Sequence, residues 1–527
     1  MDFLLAVLPI AILIYVMTKR RSWPSYVSLP FAAAMVYFLV LVHSRLDPNL
    51  VNATVVNGTL SALTPISIIW GAVLLSETML RSGAERVIDD WLKEVSANPV
   101  AQLMIVGWAF SFMIEGSSGF GTPAAIAAPL LVGLGFDPVR VAILTLVMNS
   151  VPVTFGAVGT PMWYGFSQAQ LSPAEILSVS WKSALVNSVA ALFVPIIALR
   201  FVVGWPEIRQ NLFYIYLSIL SCVVPSVVLS RFNYEFPSLI GGAIGLCLSA
   251  LMAKRQVGLA STKSNEVKID PLSQRHERLR AFTPYLMLIA ILIVTRVPFL
   301  PFREWLNTEY PRLTLDWGSL GTFSVSRALV FKLDSIFGTP SVWSYNSLFV
   351  PALIPFVVVV FLSMPLLKID RHALKKVVAE TTKRLSGPSV TLVGALIMVQ
   401  LMTLGGEQAQ TKVIGRQFAA VMGSSWPFFA PVLGALGAFF SGSATVSNLT
   451  FAGIQDSIAH TLGFERTSIF ALQSVGAAMG TIVSISNIVA VCSILGLVNQ
   501  EGLILKRAGI AVVIYGVVAG LSGLIIT

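Results

Sequence analysis

Long apolar runs separated by short polar segments recur along the chain from Phe3 to Ile526. A helix that crosses a bilayer needs about 20 consecutive, mostly apolar residues. Twelve runs have roughly this length, at residues 2–18, 24–43, 60–80, 139–161, 183–203, 209–229, 236–253, 281–297, 346–364, 387–404, 467–498 and 508–526. The pattern predicts an all-α polytopic membrane protein with about twelve transmembrane helices.

Two further apolar stretches, residues 99–135 and 426–458, are interrupted midway by small polar residues. The first interruption reads GSSG at 116–119, and the second reads SGSAT at 441–445. Non-helical backbone at membrane depth occurs in re-entrant segments that are surrounded by protein. The sequence therefore predicts two re-entrant hairpins in addition to the spans.

The span that follows each hairpin also contains small residues that disfavour a continuous helix. Span 139–161 contains NSVP and GAVGT, and span 467–498 contains GAAMG and SISN. A break leaves backbone amides and carbonyls unpaired, which is tolerated only where they are buried in protein or line a wet cavity. We therefore expect two broken helices beside a cavity.

The two hairpins are also related in sequence. EGSSG at 115–119 corresponds to SGSAT at 441–445 with an offset of 326 residues, and LGFD corresponds to LGFE with an offset of 328 residues. The span count places the two hairpins on opposite sides, which gives repeats of inverted topology. Transporters with inverted repeats and interrupted helices bind solute near the midplane, where the repeats meet. The alternative is that the glycines only allow close helix packing.

The repeat predicts two membrane halves joined by a basic loop. The first half is the region 1–253, with the hairpin 99–135 and the broken span 139–161. A basic cytoplasmic loop follows at 254–280. The second half is the region 281–527, with an outer loop at 298–345, the hairpin 426–458 and the broken span 467–498.

Charge fixes the expected orientation. Only 11% of the residues are charged, against about 25% in an average soluble protein. If the amino terminus faces outward, the loops of one side carry 24 basic residues and those of the other side carry 9. The side rich in basic residues is expected in the cytoplasm, so both termini are predicted on the outer side of the membrane. This asymmetry explains the net charge of +10 without a nucleic-acid partner.

Glu115 is the only carboxylate inside the first hairpin and immediately precedes its glycine-rich tip. An ionisable group at membrane depth is a functional hypothesis by default, so Glu115 is our candidate for carrying a coupled proton. The alternative is that its carboxylate caps free amides of the interrupted helix.

Hydroxyl and amide side chains at the two tips and in the two broken spans could bind a carboxylate and a neighbouring hydroxyl. The alternative is that each of them only bonds a carbonyl left free by the interruption. The candidate substrate-binding residues are Ser117, Ser118, Gly119, Thr122, Asn149, Ser150, Ser443, Thr445, Ser447, Asn448, Ser484 and Asn487. The three cysteines fall in apolar runs and there are four histidines, so no metal site is predicted.

These segments resemble the bacterial lactate permease family. GSSGFGTPAAIAAPLLVGLGF at 116–136 and NSVPVTFGAVGTP at 149–161 are similar to its most distinctive segment. SGSATVSNLTFAG at 441–453 and the later GLVNQEG are similar to its second hairpin and the following span, and VFKLD at 330–334 also fits. The resemblance covers essentially the whole chain.

The resemblance implies proton-coupled uptake of lactate, glycolate or a related 2-hydroxy monocarboxylate. It implies no enzyme activity and no cofactor beyond the coupling proton, while sodium coupling and the oligomeric state stay open. The expected partners are a small carboxylate and membrane lipid. The chain departs from the family at two positions, because relatives often carry an acidic or amide residue at Ala444 and can carry a lysine at Thr481.

Three further residues are weaker candidates. Lys182 matches a position that is basic in the family and could balance a carboxylate, although extension of its ammonium to the membrane surface is the simpler interpretation. Asp456 and His460 could relay protons, or they could form a solvated base of the second hairpin.

Other classes of function fit the sequence less well. A cation-coupled transporter or exchanger for another organic or inorganic anion shares hairpins, inverted repeats and free carbonyls, so it is the main alternative. A membrane enzyme would need a catalytic constellation, which the sequence does not suggest. A channel is a further alternative, because channels also use re-entrant segments. The basic loop 254–280 could bind a partner or anionic lipid, or it could simply be solvated.

Overall fold

A computed structural model describes residues 3–18, 23–119, 122–260, 273–296, 300–350, 353–497 and 500–527. Part of the predicted basic loop, residues 261–272, lies outside these ranges. The described residues form 25 α-helices: α1 Phe3–Thr18, α2 Ser25–Val42, α3 Pro48–Ser61, α4 Leu63–Arg81, α5 Ala84–Val95, α6 Pro99–Gln102, α7 Ser111–Ser118, α8 Thr122–Gly133, α9 Pro138–Met148, α10 Gly156–Trp163, α11 Pro173–Ala191, α12 Val194–Val202, α13 Trp205–Gln210, α14 Leu212–Ser230, α15 Pro237–Lys254, α16 Ser273–Arg296, α17 Phe302–Trp305, α18 Val359–Leu367, α19 Arg371–Met402, α20 Gln410–Met422, α21 Trp426–Ser441, α22 Ala444–Leu462, α23 Arg466–Gly480, α24 Ile485–Leu495 and α25 Glu501–Ile526.

Ten helices or continuous helix runs in the described ranges are long and apolar enough to cross a membrane, and a bent pair could supply an eleventh. The bent pair is Pro138–Met148 with Val151–Trp163. Phe3–Met17 and Leu353–Leu367 are apolar but shorter. The predicted all-α membrane class is confirmed, whereas the exact number of twelve spans stays a prediction.

The chain divides into two compact units, and each unit takes one stretch from each predicted half. The first unit contains Met1–Glu85 and Leu279–Phe418. The second contains Arg86–Arg278 and Ala419–Thr527, which brings both predicted hairpins and both broken spans into one body. The division into consecutive halves stays a prediction.

The first unit contains a small antiparallel sheet that occupies the region predicted as the outer loop 298–345 and ends one residue beyond it. Its strands are β1 Arg312–Asp316, β2 Thr322–Ser326, β3 Val330–Asp334 and β4 Trp343–Asn346, in the order β1-β2-β3-β4. Leu333 and Trp343 pack with Ile336 against Ala53 of α3. The sheet therefore has an apolar face of its own. The sequence predicted only a loop in this region.

Glycines allow the helices of the second unit to approach closely. A Cβ at Gly242 of α15 would lie 2.3 Å from the backbone nitrogen of Met113 in α7. A Cβ at Gly476 of α23 would lie 1.9 Å from the carbonyl oxygen of Pro431 in α21. These two glycines therefore allow close helix packing, which was the alternative role considered for glycines in the sequence.

Each predicted hairpin and each predicted broken span contains a break between helices, but GAAMG at 476–480 lies within α23 and the break follows it. The hairpins break between α7 and α8 and between α21 and α22, where Gly119 and Gly442 have φ values of 60° and 73°. The broken spans pass through short 3₁₀ segments at Val151–Phe155 and Thr481–Val483. The first broken span bends by 44°.

Lys182 connects α11 to Glu465, which precedes α23, and to the first turn of α23. Its ammonium donates to Glu465 Oε2 at 2.5 Å, to Thr467 Oγ1 at 2.9 Å and to Ser468 Oγ at 2.8 Å. The bond from Lys182 is the main reason why the pKa of the Glu465 carboxyl is lowered, and a bond from the Thr467 hydroxyl lowers it further. The Lys182 side chain is only 12% exposed, so the ammonium is held in place by these partners.

Replacing Gly242 with alanine should lower the apparent melting temperature of the purified protein in detergent. The added methyl group would clash with the backbone of α7, and overpacking of this kind costs about 1–3 kcal/mol. Gly509→Ala in α25 is the matched control, because nothing lies within 4 Å of a Cβ there. The control should be neutral or slightly stabilising, since alanine favours helix. Equal melting temperatures for the two variants would contradict the close α7–α15 packing.

Candidate functional site

The four chain breaks of the second unit meet at one narrow cavity, which we call the Glu115 cavity. Its interior measures about 20 Å³, which is room for about one water molecule. A larger solute would therefore require this cavity to widen. The lining residues come from all four breaks, and they are Glu115, Gly119, Asn149, Val153, Gly156, Ala157, Pro161, Gly442, Ser443, Ala444, Thr445, Thr481 and Asn487.

Glu115 is the one ionisable side chain among the described residues that line the cavity. It is only 2% exposed, and its Oε2 accepts a hydrogen bond of 2.9 Å from Asn149 Nδ2. A Cβ at Gly156 would lie 2.3 Å from Glu115 Oε1, so a side chain at 156 would displace the carboxylate. The first hairpin and the first broken span are therefore joined at this carboxylate.

Asn149 presents a second polar atom at the cavity. The residue is 6% exposed, and its buried side-chain oxygen has no hydrogen-bond partner among the described residues. Buried polar atoms nearly always have a partner, so an unpartnered one beside a cavity is a candidate ligand contact. The carboxylate of Glu115 accepts hydrogen bonds, so the side-chain nitrogen of Asn149 faces it and the side-chain oxygen does not.

The start of α10 has an unusual backbone. Ala157, Val158 and Gly159 all have left-handed conformations, with φ values of 44°, 55° and 68°. Non-glycine residues pay roughly 1–2 kcal/mol each for such a conformation, and strain of this kind tends to persist at functional sites. Gly159 is required here, since a Cβ would lie 2.0 Å from the carbonyl oxygen of Tyr234. The turn brings Ala157 to the cavity wall.

Two helices of the second repeat begin at the cavity. Ser443 caps α22 by accepting a bond from the amide of Val446 at 3.3 Å, and the first-turn residues Ala444 and Thr445 line the cavity. Asn487 lines it from the first turn of α24. Helix amino termini carry partial positive charge and amides without partners inside the helix, which together favour an anion.

Six of the predicted polar or tip residues line this cavity, counting the proton-coupling candidate. They are Glu115, Gly119, Asn149, Ser443, Thr445 and Asn487. Their roles in binding or proton transfer stay predictions, but the geometry brings them together as the repeat hypothesis expects.

Other candidates bond to the protein itself, as the alternative interpretation proposed. Ser117 and Ser118 both donate to the carbonyl of Ile114, at 2.9 and 3.0 Å. Ser150 donates to the carbonyl of Val147 at 2.7 Å. None of these three serines lines the Glu115 cavity.

Three candidates in the second repeat are also held by backbone groups. Ser447 donates to the carbonyl of Gly434 at 2.6 Å, and Asn448 donates to the carbonyl of Pro161 at 2.9 Å. Ser484 accepts a bond of 3.4 Å from the amide of Asn487. The side chain of Thr122 lies outside the described part of the structure.

The weaker candidates lie in other surroundings. Lys182 is engaged by Glu465 and two hydroxyls. Asp456 accepts bonds of 2.9 and 3.2 Å from the guanidinium of Arg466, and His460 is exposed in the last turn of α22. None of the three predicted residues lines the Glu115 cavity.

A buried network of hydrogen-bonded side chains lies behind the second hairpin, and the sequence did not predict it. Trp426 Nε1 donates to Gln455 Oε1 at 2.9 Å, and Gln455 Nε2 donates to Gln473 Oε1 at the same distance. Gln473 in turn donates to Ser447 Oγ at 3.2 Å. The network links α21, α22 and α23, so it holds the second hairpin in position beside the cavity.

Further lining residues come from segments that the sequence already marked as interruptions. They are Val153, Gly156, Ala157, Pro161, Gly442, Ala444 and Thr481. Except for Thr481, these residues have no polar side-chain group, which is why the sequence did not mark them as candidates. Ala444 and Thr481, the two positions at which the resemblance implies a departure from the family, both line this cavity.

Comparisons with known proteins agree over the whole chain. The family model for the L-lactate permease matches residues 2–527. A protein of Haemophilus influenzae is 49% identical over 524 residues, which is 99% of this chain and 98% of that protein. The L-lactate permease of Escherichia coli K12 is 27% identical, with 99% of this chain and 96% of that protein covered.

A glycolate permease and solved structures also match. The glycolate permease GlcA of Escherichia coli K12 is 26% identical over 84% of this chain and 81% of that protein. The crystal structure of the Alcanivorax borkumensis YdaH transporter superposes with a TM-score of 0.46 at 15% identity, covering 98% of each chain. Because the family model and the 49% identical relative both extend over essentially the entire sequence, the chain belongs to the L-lactate permease family.

Proposed function

We propose that this protein imports lactate, or a related small 2-hydroxy monocarboxylate such as glycolate, by proton symport. The family and the relatives named as lactate and glycolate permeases support the substrate class. We also propose that it lies in a bacterial inner membrane with both termini outside, as the distribution of basic residues predicts.

The observation that carries the proposal is the convergence of all four chain breaks on the Glu115 cavity. The amino termini of α22 and α24 offer partial positive charge to a carboxylate. The hydroxyl of Ser443 and the free side-chain oxygen of Asn149 could bond a neighbouring 2-hydroxyl. These groups suit a small hydroxy acid better than a large or purely apolar solute.

The charge of the same cavity supports proton coupling. An ionised Glu115 would repel a carboxylate bound beside it, and no basic side chain is present among the described lining residues. The anion therefore binds best when Glu115 holds a proton. Because linkage is reciprocal, the bound anion also favours protonation of Glu115, so the two move together.

Sodium coupling is the alternative, because helix ends at the cavity also supply carbonyls and hydroxyls. Uptake into vesicles separates the two. With an acidic exterior and no sodium, the protein should accumulate labelled L-lactate above the external concentration, and a protonophore should abolish that accumulation. A strict requirement for sodium would contradict the proposal.

In the same vesicles, Glu115→Gln should lose accumulation driven by the pH gradient. Glutamine resembles the protonated carboxyl, so the variant should still exchange internal for external lactate at equal pH. Glu207→Gln in α13 removes an exposed carboxylate and serves as the control; it should behave as the wild type. Normal accumulation by Glu115→Gln would refute the proton role of this residue.

Asn149→Ala should reduce kcat/KM for lactate uptake by roughly 10–100-fold, because it removes the proposed acceptor for the 2-hydroxyl and the donor that holds the Glu115 carboxyl. Ser150→Ala is the matched control, since the Ser150 hydroxyl bonds only the local carbonyl of Val147. The control should stay within about twofold of the wild type. Initial uptake rates, normalised to the amount of protein in the membrane, measure both. A similar loss in both variants would show that the cavity-lining position has no special importance.

A further inference from the structure

Three arginines of the second unit line a separate cavity of about 460 Å³, which we call the arginine cavity. Arg140 lies in the first turn of α9, Arg200 near the end of α12 and Arg507 in the second turn of α25. The three helices pack against one another, so residues far apart in sequence converge on one site.

This site has a large excess of positive charge. Its lining contains no carboxylate among the described residues, and none of the three guanidinium groups forms an ion pair in the part of the chain that the structure describes. The carboxylate of Glu207 lies beside Gly204 without lining the cavity. Three guanidinium groups that repel one another favour an anionic ligand.

The rest of the lining is apolar. Phe201, Val202, Val203 and Ile510 complete the wall together with Gly204. Ile510 is 53% exposed. A ligand that satisfies both parts of the wall would carry a negative charge at one end and hydrocarbon at the other.

The location indicates where such a ligand comes from. Arg200 and Arg507 lie at the ends of the candidate spans Pro173–Val202 and Glu501–Ile526, and Arg140 lies at the start of the bent pair. Span ends lie where lipid headgroups meet water. The sequence also places all three arginines on the side that carries most of the basic residues.

We infer that the arginine cavity binds an anionic phospholipid, with its phosphate among the three guanidinium groups and an acyl chain along Ile510. Arginine bonds phosphate oxygens in a bidentate manner, and basic cavities between membrane helices are suited to anionic headgroups. The bound lipid would brace α9, the helix that leads to Asn149, against α12 and α25. This inference does not depend on the transported substrate.

Native mass spectrometry of the purified protein in uncharged detergent tests the proposal. Phosphatidylglycerol should bind as one retained molecule, whereas phosphatidylcholine should not. The variant with Arg140→Gln, Arg200→Gln and Arg507→Gln should bind phosphatidylglycerol about 100-fold more weakly, since each arginine contributes roughly fivefold. The three single variants should each lose about fivefold, which keeps the test decisive if the triple variant does not fold.

The matched control removes the same charge elsewhere on the same predicted side, with Arg209→Gln, Arg255→Gln and Lys506→Gln. None of these residues lines the arginine cavity, so binding should stay within about twofold of the wild type. Equal binding of phosphatidylcholine, or an equal loss in the control, would overturn the proposal. Inorganic phosphate that saturates the site at the same concentration as the lipid would show that free phosphate is the ligand, which also overturns it.

Discussion

Backbone groups that lose their helical partners inside a membrane protein must find others, because each unpaired group costs several kcal/mol in hydrocarbon. This constraint explains why four breaks in four different segments gather in one body of the protein. Ser443 caps α22, and Asn448 satisfies the carbonyl of Pro161 across the repeats. Amides at the start of α22 and α24 then face a shared cavity, where a solute can use them.

The cavity combines several features that a protein built only for stability would avoid. Glu115 is a buried carboxyl, Asn149 has a buried oxygen with no partner in the described part of the chain, and the turn at Ala157 is left-handed. Strain and buried charge of this kind are retained when the surrounding structure enforces them. Close packing through Gly242 and the hydrogen-bonded network from Trp426 to Ser447 supply that enforcement around the cavity.

The sequence predicted the interruptions because small polar residues in an apolar run are a local signal. The sequence could not separate hydroxyls that line the cavity from hydroxyls that cap a helix. Ser117 and Ser118 reach the carbonyl of Ile114 through helix geometry alone. The spacing of these serines in the sequence is the same whether they bond that carbonyl or a solute. The small sheet was missed since its strands have only 4–5 residues. The grouping of segments into two units depends on packing between distant helices, which leaves little trace in a single sequence.

The central claim is that the Glu115 cavity is where the solute binds. An electron cryo-microscopy map of the protein with saturating L-lactate tests it most directly. The account predicts density for one small molecule between Glu115, Ser443 and Asn487, with its carboxylate at the amino termini of α22 and α24 and the cavity wider than about 20 Å³. Lactate density at another place in the protein, with this cavity unchanged, would contradict the account.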